Sequence, residues 1–194
     1  MAPLPLGLAI TLALAQAPPR PDPAALKARV ARGLPLVRQM ASDAAVVSAV
    51  VAQDARRQSL EDVKRLDREW TATRGTSELI RKHLDSPCAR ALRALAAKEP
   101  AVVEAFAMDD QGALVCTLAK TTDYWQGDEA KWQRSFASGR GAEFVDDPQF
   151  DESAQSYCIQ VSVPVKDGGR VVGAITVGFD LDRLDAKPQA KQAP

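Results

Sequence analysis

Residues 156–180, SYCIQVSVPVKDGGRVVGAITVGFD, decide the fold, because two β-branched runs flank Lys166-Asp167-Gly168-Gly169. Period-two apolar runs on either side of an Asp-Gly turn are the signature of an antiparallel hairpin. In the first arm Tyr157, Ile159, Val161, Val163 and Val165 share one face, and Cys158, Gln160 and Ser162 share the other. In the second, Gly173, Ile175, Val177 and Phe179 alternate with Ala174, Thr176, Gly178 and Asp180. One row is made for a core; the opposite row is polar, as a solvated or ligand-lined face would be.

Upstream, VVEAFAMDD, the turn DDQG and ALVCTLAKT predict another hairpin, and GAEFVDD predicts a short edge strand. A short helix from about Asp128 to Ala137 is expected between the two hairpins. Before Pro100 the period is 3.6 rather than 2. Leu26, Val30, Leu34, Val37, Met40, Ala44, Val47 and Val51 recur at helical spacing, predicting one long amphipathic helix from Pro23 to about Arg57, kinked at Gly33 and Pro35. Ser59 with Asp62 three residues on opens a shorter helix through Trp70, and GTSELIRKHLDS continues helically. Ser86 before Pro87 starts a helix that ends near Lys98. The order predicts an α+β domain: a long N-terminal helix packed on a five-stranded antiparallel sheet, with helices on one side.

The 194 residues are 46% hydrophobic and 26% charged with zero net charge, which fits one globular domain and excludes a strongly basic nucleic-acid binder. Residues 20–100 carry 16 Lys and Arg against 10 Asp and Glu, and residues 101–194 carry 9 against 15. Those basic residues lie at helical spacing, as solvated faces do. Residues 1–17, MAPLPLGLAITLALAQA, read as a secretory signal with Ala13 and Ala15 at an A-x-A cleavage site. Residues 18–24 form a proline-rich spacer, residues 25–184 the domain, and residues 185–194 a disordered tail. A secreted or periplasmic location follows. Cys88, Cys116 and Cys158 allow at most one bridge, and Cys116 and Cys158 read as small buried thiols within strands.

Residues 121–132, TTDYWQGDEAKW, hold two of the three tryptophans and one of the two tyrosines in a chain only 5% aromatic. Rings supply apolar walls and interleaved charges orient a polar ligand, so this segment is the candidate small-molecule site. Asp128 reads as a helix cap and Lys131 as a solvated helix lysine, which leaves Asp123, Tyr124 and Trp125, with Trp132 as a wall. His83, the only histidine, reads as a surface helix residue. Asp146, Asp147, Asp151 and Glu152 lack the spacing of a calcium loop, and no Gly-rich phosphate loop precedes a helix. No catalytic residue, metal site or cofactor is therefore expected.

This order of elements, with TTDYWQGDEAKW after the second strand, FDES before the fourth and VSVPV plus VGAITVGFDL as the last hairpin, resembles the extracytoplasmic single-Cache sensor domains, the PAS-like PDC type. The resemblance covers roughly residues 25–184. It implies a PAS-like sheet backed by a long helix that also dimerises, and a small carboxylate or amino acid bound on the far side of the sheet without turnover. It also implies that Asp180 contacts a ligand amine. Tyr157 and Gln160 of the fourth strand complete the candidate set. Such domains are usually joined to a kinase or chemoreceptor output; none is expected in this chain, so a membrane receptor or kinase would be a separate partner. The other reading is a module that binds no ligand and presents its long helix to a membrane receptor.

Overall fold

The computed structural model describes residues 19–152 and 155–185; the expected leader and the tail beyond residue 185 lie outside the described residues. Seven helices and six strands run in the order α1 (Pro23–Ala41), α2 (Ala44–Asp54), α3 (Leu60–Ala72), α4 (Glu78–Leu84), α5 (Pro87–Ala96), β1 (Val102–Met108), β2 (Leu114–Thr117), α6 (Ala130–Phe136), β3 (Phe144–Val145), β4 (Gln149–Asp151), β5 (Ser156–Asp167), β6 (Arg170–Asp180) and α7 (Leu181–Asp185). The antiparallel sheet has the order β2-β1-β6-β5-β3, with β4 also paired to β5. The sheet thus gains β4 over the five strands expected, and the two hairpins and the short edge strand fall where the period predicts them. Gly168 and Gly169 take positive φ values of 53° and 87° in the β5–β6 turn, the left-handed region that glycine enters at no steric cost.

The expected single N-terminal helix is two helices, bent by 58° at a short break. The break lies at Ser42-Asp43 and not at Gly33 or Pro35. The Asp43 side chain accepts the N–H of Ala45 at 2.9 Å and so starts a new helix, whereas Pro35 stays inside α1 on its exposed side. Gly33 serves packing instead: a Cβ there would sit 2.8 Å from Phe179 Cζ, so α1 crosses β6 at glycine distance. Ser59, Ser77 and Ser86 each accept the N–H three residues on, and these caps fix the starts of α3, α4 and α5. Among the described residues no single helix is long and apolar enough to cross a membrane.

Helices cover both faces of the sheet, not one. The first face carries Ala105 and Ala107 of β1, Ile159, Val161, Val163 and Val165 of β5, and Ile175, Val177 and Phe179 of β6, packed under α1, α2 and α5. The second carries Phe106, Met108, Leu114 and Ala174, packed against Val63 and Trp70 of α3, Ile80 of α4 and Tyr124. Both layers follow from β1 itself: residues 105–108 are all buried, so the strand is apolar toward each side. Cys88 of α5 and Cys116 of β2 form a disulfide, with Cα atoms 5.9 Å apart. Cys116 is therefore bridged rather than a buried thiol, and Cys158 is the free cysteine.

At the end of α2, Asp54 Oδ1 accepts the N–H of Asp110 at 3.1 Å. Burial pushes the Asp54 carboxyl up to about 7, and the neighbouring Asp110 and Asp109 charges add to the shift. The native state holds this proton up to about pH 7, while the unfolded chain releases it in the ordinary carboxylate range. The stability due to Asp54 therefore falls as pH rises between those two values. Asp54→Asn keeps the acceptor and removes the charge. It is expected to be more stable than the parent above neutrality, with the advantage shrinking on acidification; urea midpoints across a pH series measure it.

Candidate functional site

The aromatic segment is an irregular continuation of the sheet edge. Leu114 N–H donates to Tyr124 O at 3.0 Å, Gln126 N–H donates to Gly112 O at 2.8 Å, and Ala113 bridges to Trp125. Gly112, at φ 82°, and Gly127 allow this approach, since a Cβ on Gly112 would lie 2.5 Å from Gly127 Cα. From α3, Asp67 Oδ1 accepts the N–H groups of both Tyr124 and Trp125, at 2.9 and 3.0 Å. Trp70 Nε1–H donates to Thr121 O at 2.9 Å. The indoles hold the β1–β2 turn: Trp125 Nε1–H donates to Gln111 O at 2.8 Å, and Trp132 Nε1–H to Asp109 O at 3.0 Å.

The side chains behind this segment form a closed aromatic cluster. Tyr124 is 2% exposed, with its ring 5.3 Å from His83 and 5.9 Å from Trp70. Burial, and next the Asp109 charge, hold its phenol above the ordinary tyrosine value. His83 is buried rather than on the surface, as its Nδ1 meets Leu79 O at 2.8 Å and burial pulls its pKa down. Asp109 anchors the turn through the N–H groups of Gln111 and Ala113 and the amide of Gln53, each at 2.9 Å. Tyr124 is a packing element in this arrangement, not a wall of open space.

Rows of side chains on the second face run from apolar to polar along the strands. The Cα register aligns Met108 with Ala174 and Pro164, then Phe106 with Thr176 and Ser162, then Glu104 with Gly178 and Gln160, and finally Asp180 with Cys158. Ser162 and Thr176 share a hydroxyl hydrogen bond at 2.8 Å and are fully buried. Gln160 Nε2–H donates to Glu104 Oε1 at 2.6 Å. Gly178 makes room for this pair, since a Cβ there would meet Glu104 Cγ at 2.5 Å. From α6, the Lys131 side chain, only 13% exposed, pairs with Glu129 at 2.8 Å and lies 5.6 Å from the Phe106 ring centre. The arrangement places one cation, two carboxylates and one amide at the edge of an aromatic floor, the cation paired with Glu129 and the amide with Glu104.

The candidates from the sequence do not converge on one point. Trp125 and Trp132 stand at the β1–β2 turn, with Trp132 stacked on Phe136 at 5.0 Å. Asp123 is half-buried beside them, and its carbonyl accepts from Thr121 Oγ1 and Gln126 Nε2. Gln160 lies in the polar rows. Tyr157 is on the opposite face, against the first core, with Phe150 5.2 Å away, because the pleat separates it from Gln160. Asp180 is 3% exposed: Oδ1 accepts the N–H groups of Asp182 and Arg183, and Oδ2 takes Ser156 Oγ and Arg183. It caps α7, and its oxygens are fully engaged. Asp128 does not cap α6, which starts two residues later with Glu129 at the cap position.

The sequence does not single out Glu104 or Asp67, and Lys131, which could neutralise a ligand carboxylate, reads there as a solvated helix lysine. An acid inside the apolar strand VVEAFAM was the readable signal for Glu104. Lys131 and Asp67 carry no local signal, since helix residues of both kinds are usually solvated.

No protein-family model matches the chain, and no curated protein matches it. Among solved structures, it is similar to the sensor domain of the V. cholerae histidine kinase DctB, with 12% identity, 87% of this chain and 55% of that chain covered, and a TM-score of 0.44. It is also similar to the ligand-binding domain of the Pseudomonas aeruginosa amino acid chemoreceptor PctC in complex with GABA, with 17% identity, coverages of 72% and 58%, and a TM-score of 0.42. A third is the ligand-binding domain of the Campylobacter jejuni chemoreceptor Tlp3 in complex with 4-methylisoleucine, with 13% identity, coverages of 83% and 62%, and a TM-score of 0.40. The chain thus spans 55% to 62% of the length of these structures.

Proposed function

We propose that this protein is an extracytoplasmic sensor domain that binds a small polar metabolite, a carboxylate or amino acid, without turning it over. The observation that carries the reading is the contrast between the two buried faces of one sheet. The first is built from apolar side chains, Val, Ile, Leu and Ala with Phe179 among them, as stability alone requires. The second buries Ser162 and Thr176 and places Glu104, Gln160 and Lys131 around Phe106. Polar groups taken from water contribute little net stability even when paired, so stability alone gives no reason to keep them there. In this reading Lys131 exchanges Glu129 for a ligand carboxylate, Glu104 and Gln160 receive the ligand's amine or hydroxyl, and Trp132, Trp125 and Asp123 stand beside the β1–β2 turn at the apolar end of the face. The Cys88–Cys116 bridge supports an oxidising compartment. The bound state would be read by a membrane receptor or kinase, or by a second copy through the N-terminal helices.

Isothermal titration against a panel of amino acids and small carboxylates tests this. One ligand is expected to bind and to raise Tm by mass action. Lys131→Met should weaken it roughly tenfold or more, as loss of a charge-assisted hydrogen bond does. Absence of binding across the panel, together with a more stable Lys131→Met variant, would favour the helix-presenting module instead.

A further inference from the structure

A cleft of about 300 Å³ lies between α2, the end of α4, the start of α5 and β2. Its floor is Val115 of β2 and the bridged Cys88, and the small residues Ala49 and Ala52 of α2 form one wall. The charges around it are one-sided. Arg56 and Lys82 line it, no acidic side chain does, and no ion pair among the described residues engages either cation. The nearby carboxylate of Asp109 is held by Gln53 and two backbone N–H groups. The N-terminus of the ten-residue α5 opens at the same rim, with Ser86 at its cap, adding the positive end of a helix dipole. Two unpaired cations, a helix N-terminus and the Ser48 and Ser86 hydroxyls surround a pocket with an apolar floor.

We infer that this cleft is a second ligand site, selective for a small organic carboxylate whose short apolar body rests on Val115 and the α2 alanines while Arg56 and Lys82 hold its charge. The volume stands at the lower end of the range of ligand pockets, about 300–1,000 Å³, which limits the ligand to a compact molecule. The back wall gives the site a route to the aromatic segment, because His83 lines the cleft and its ring packs edge-on against Tyr124 at 5.3 Å. The inference is independent of the site proposed between α6 and the sheet.

Thermal-shift and calorimetric titrations of the full chain with propionate, benzoate, succinate and inorganic phosphate, against chloride at matched ionic strength, test it. At least one of the three carboxylates is expected to bind more tightly than phosphate or chloride. The Arg56→Gln/Lys82→Gln variant should weaken that binding roughly tenfold or more while its unliganded Tm is unchanged, since both side chains are exposed. Lys131→Met should leave it unaltered. Three results would overturn the inference: no carboxylate bound beyond chloride, phosphate bound in preference to all three, or binding lost in Lys131→Met but kept in the double variant. The last would move the ligand to the sheet and leave the first proposal standing.

Discussion

Trp70→Ala is expected to cost about 3–5 kcal/mol of stability, the range for removing a fully buried large aromatic. Trp70 is 0% exposed and is the largest side chain of the second core. It touches the His83 and Tyr124 rings and donates its indole N–H to Thr121 O. Truncation leaves a cavity between α3, α4 and the aromatic segment, and leaves the Thr121 carbonyl without its donor. The released segment is the one that carries Trp125, so the effect should be local as well as global. Amide exchange at Leu114, whose N–H is bonded to Tyr124 O, should quicken more than exchange at Val177 in the sheet centre. Trp125→Ala is the contrast. Its ring is half-buried with Lys64 4.8 Å from its centre, so it should cost less than half as much. Equal urea midpoints for the two variants would show that the segment does not depend on Trp70.

What was legible in the chain was what repeats locally. The alternation in residues 156–180 gave the right faces because residues 158–165 pair one-to-one with residues 173–180, the single register shift falling at Val165/Lys166 next to the turn. The serine caps worked because each bonds within three residues. The second helical layer was also signalled in the sequence, by the unbroken apolar run of residues 105–108 that the structure buries, but a run of that length also fits a one-sided strand with small residues behind it. Asp180 had a readable alternative role: FDLDRLD is an aspartate before a short helix, a cap signature, and the side chain bonds accordingly. Tyr124 could not be placed. Its partners, Trp70 and His83, lie 54 and 41 residues earlier on two helices, and no period links them to a loop. Lys131 and Asp67 failed for the same reason, since each is defined by what folds over it.

The disulfide was beyond pattern reading too, and its removal gives the other large effect. Cys88 and Cys116 are 1% and 0% exposed, 28 residues apart, and join α5 to β2 across the first core. In the chain-entropy account a loop of that size stabilises by about 3.5 kcal/mol, acting on the unfolded ensemble. The Cys88→Ala/Cys116→Ala variant is expected to lose about that much, plus a smaller packing loss from two buried sulfurs. The parent protein unfolded under reducing conditions should lose nearly as much, with the sulfurs retained. The comparison separates tether from packing: if reduction leaves the urea midpoint unchanged while the double variant falls, the loss is packing and the entropic account fails here. Cys158 should not rescue either form by exchange. Its row on the second face is separated from the bridge by the sheet, and burial, followed by the Asp180 charge, raises its thiol pKa, so little thiolate forms at neutral pH. The bridge also forms part of the floor of the α2–α5 cleft, so loosening it should weaken carboxylate binding there while leaving binding at the α6 face intact.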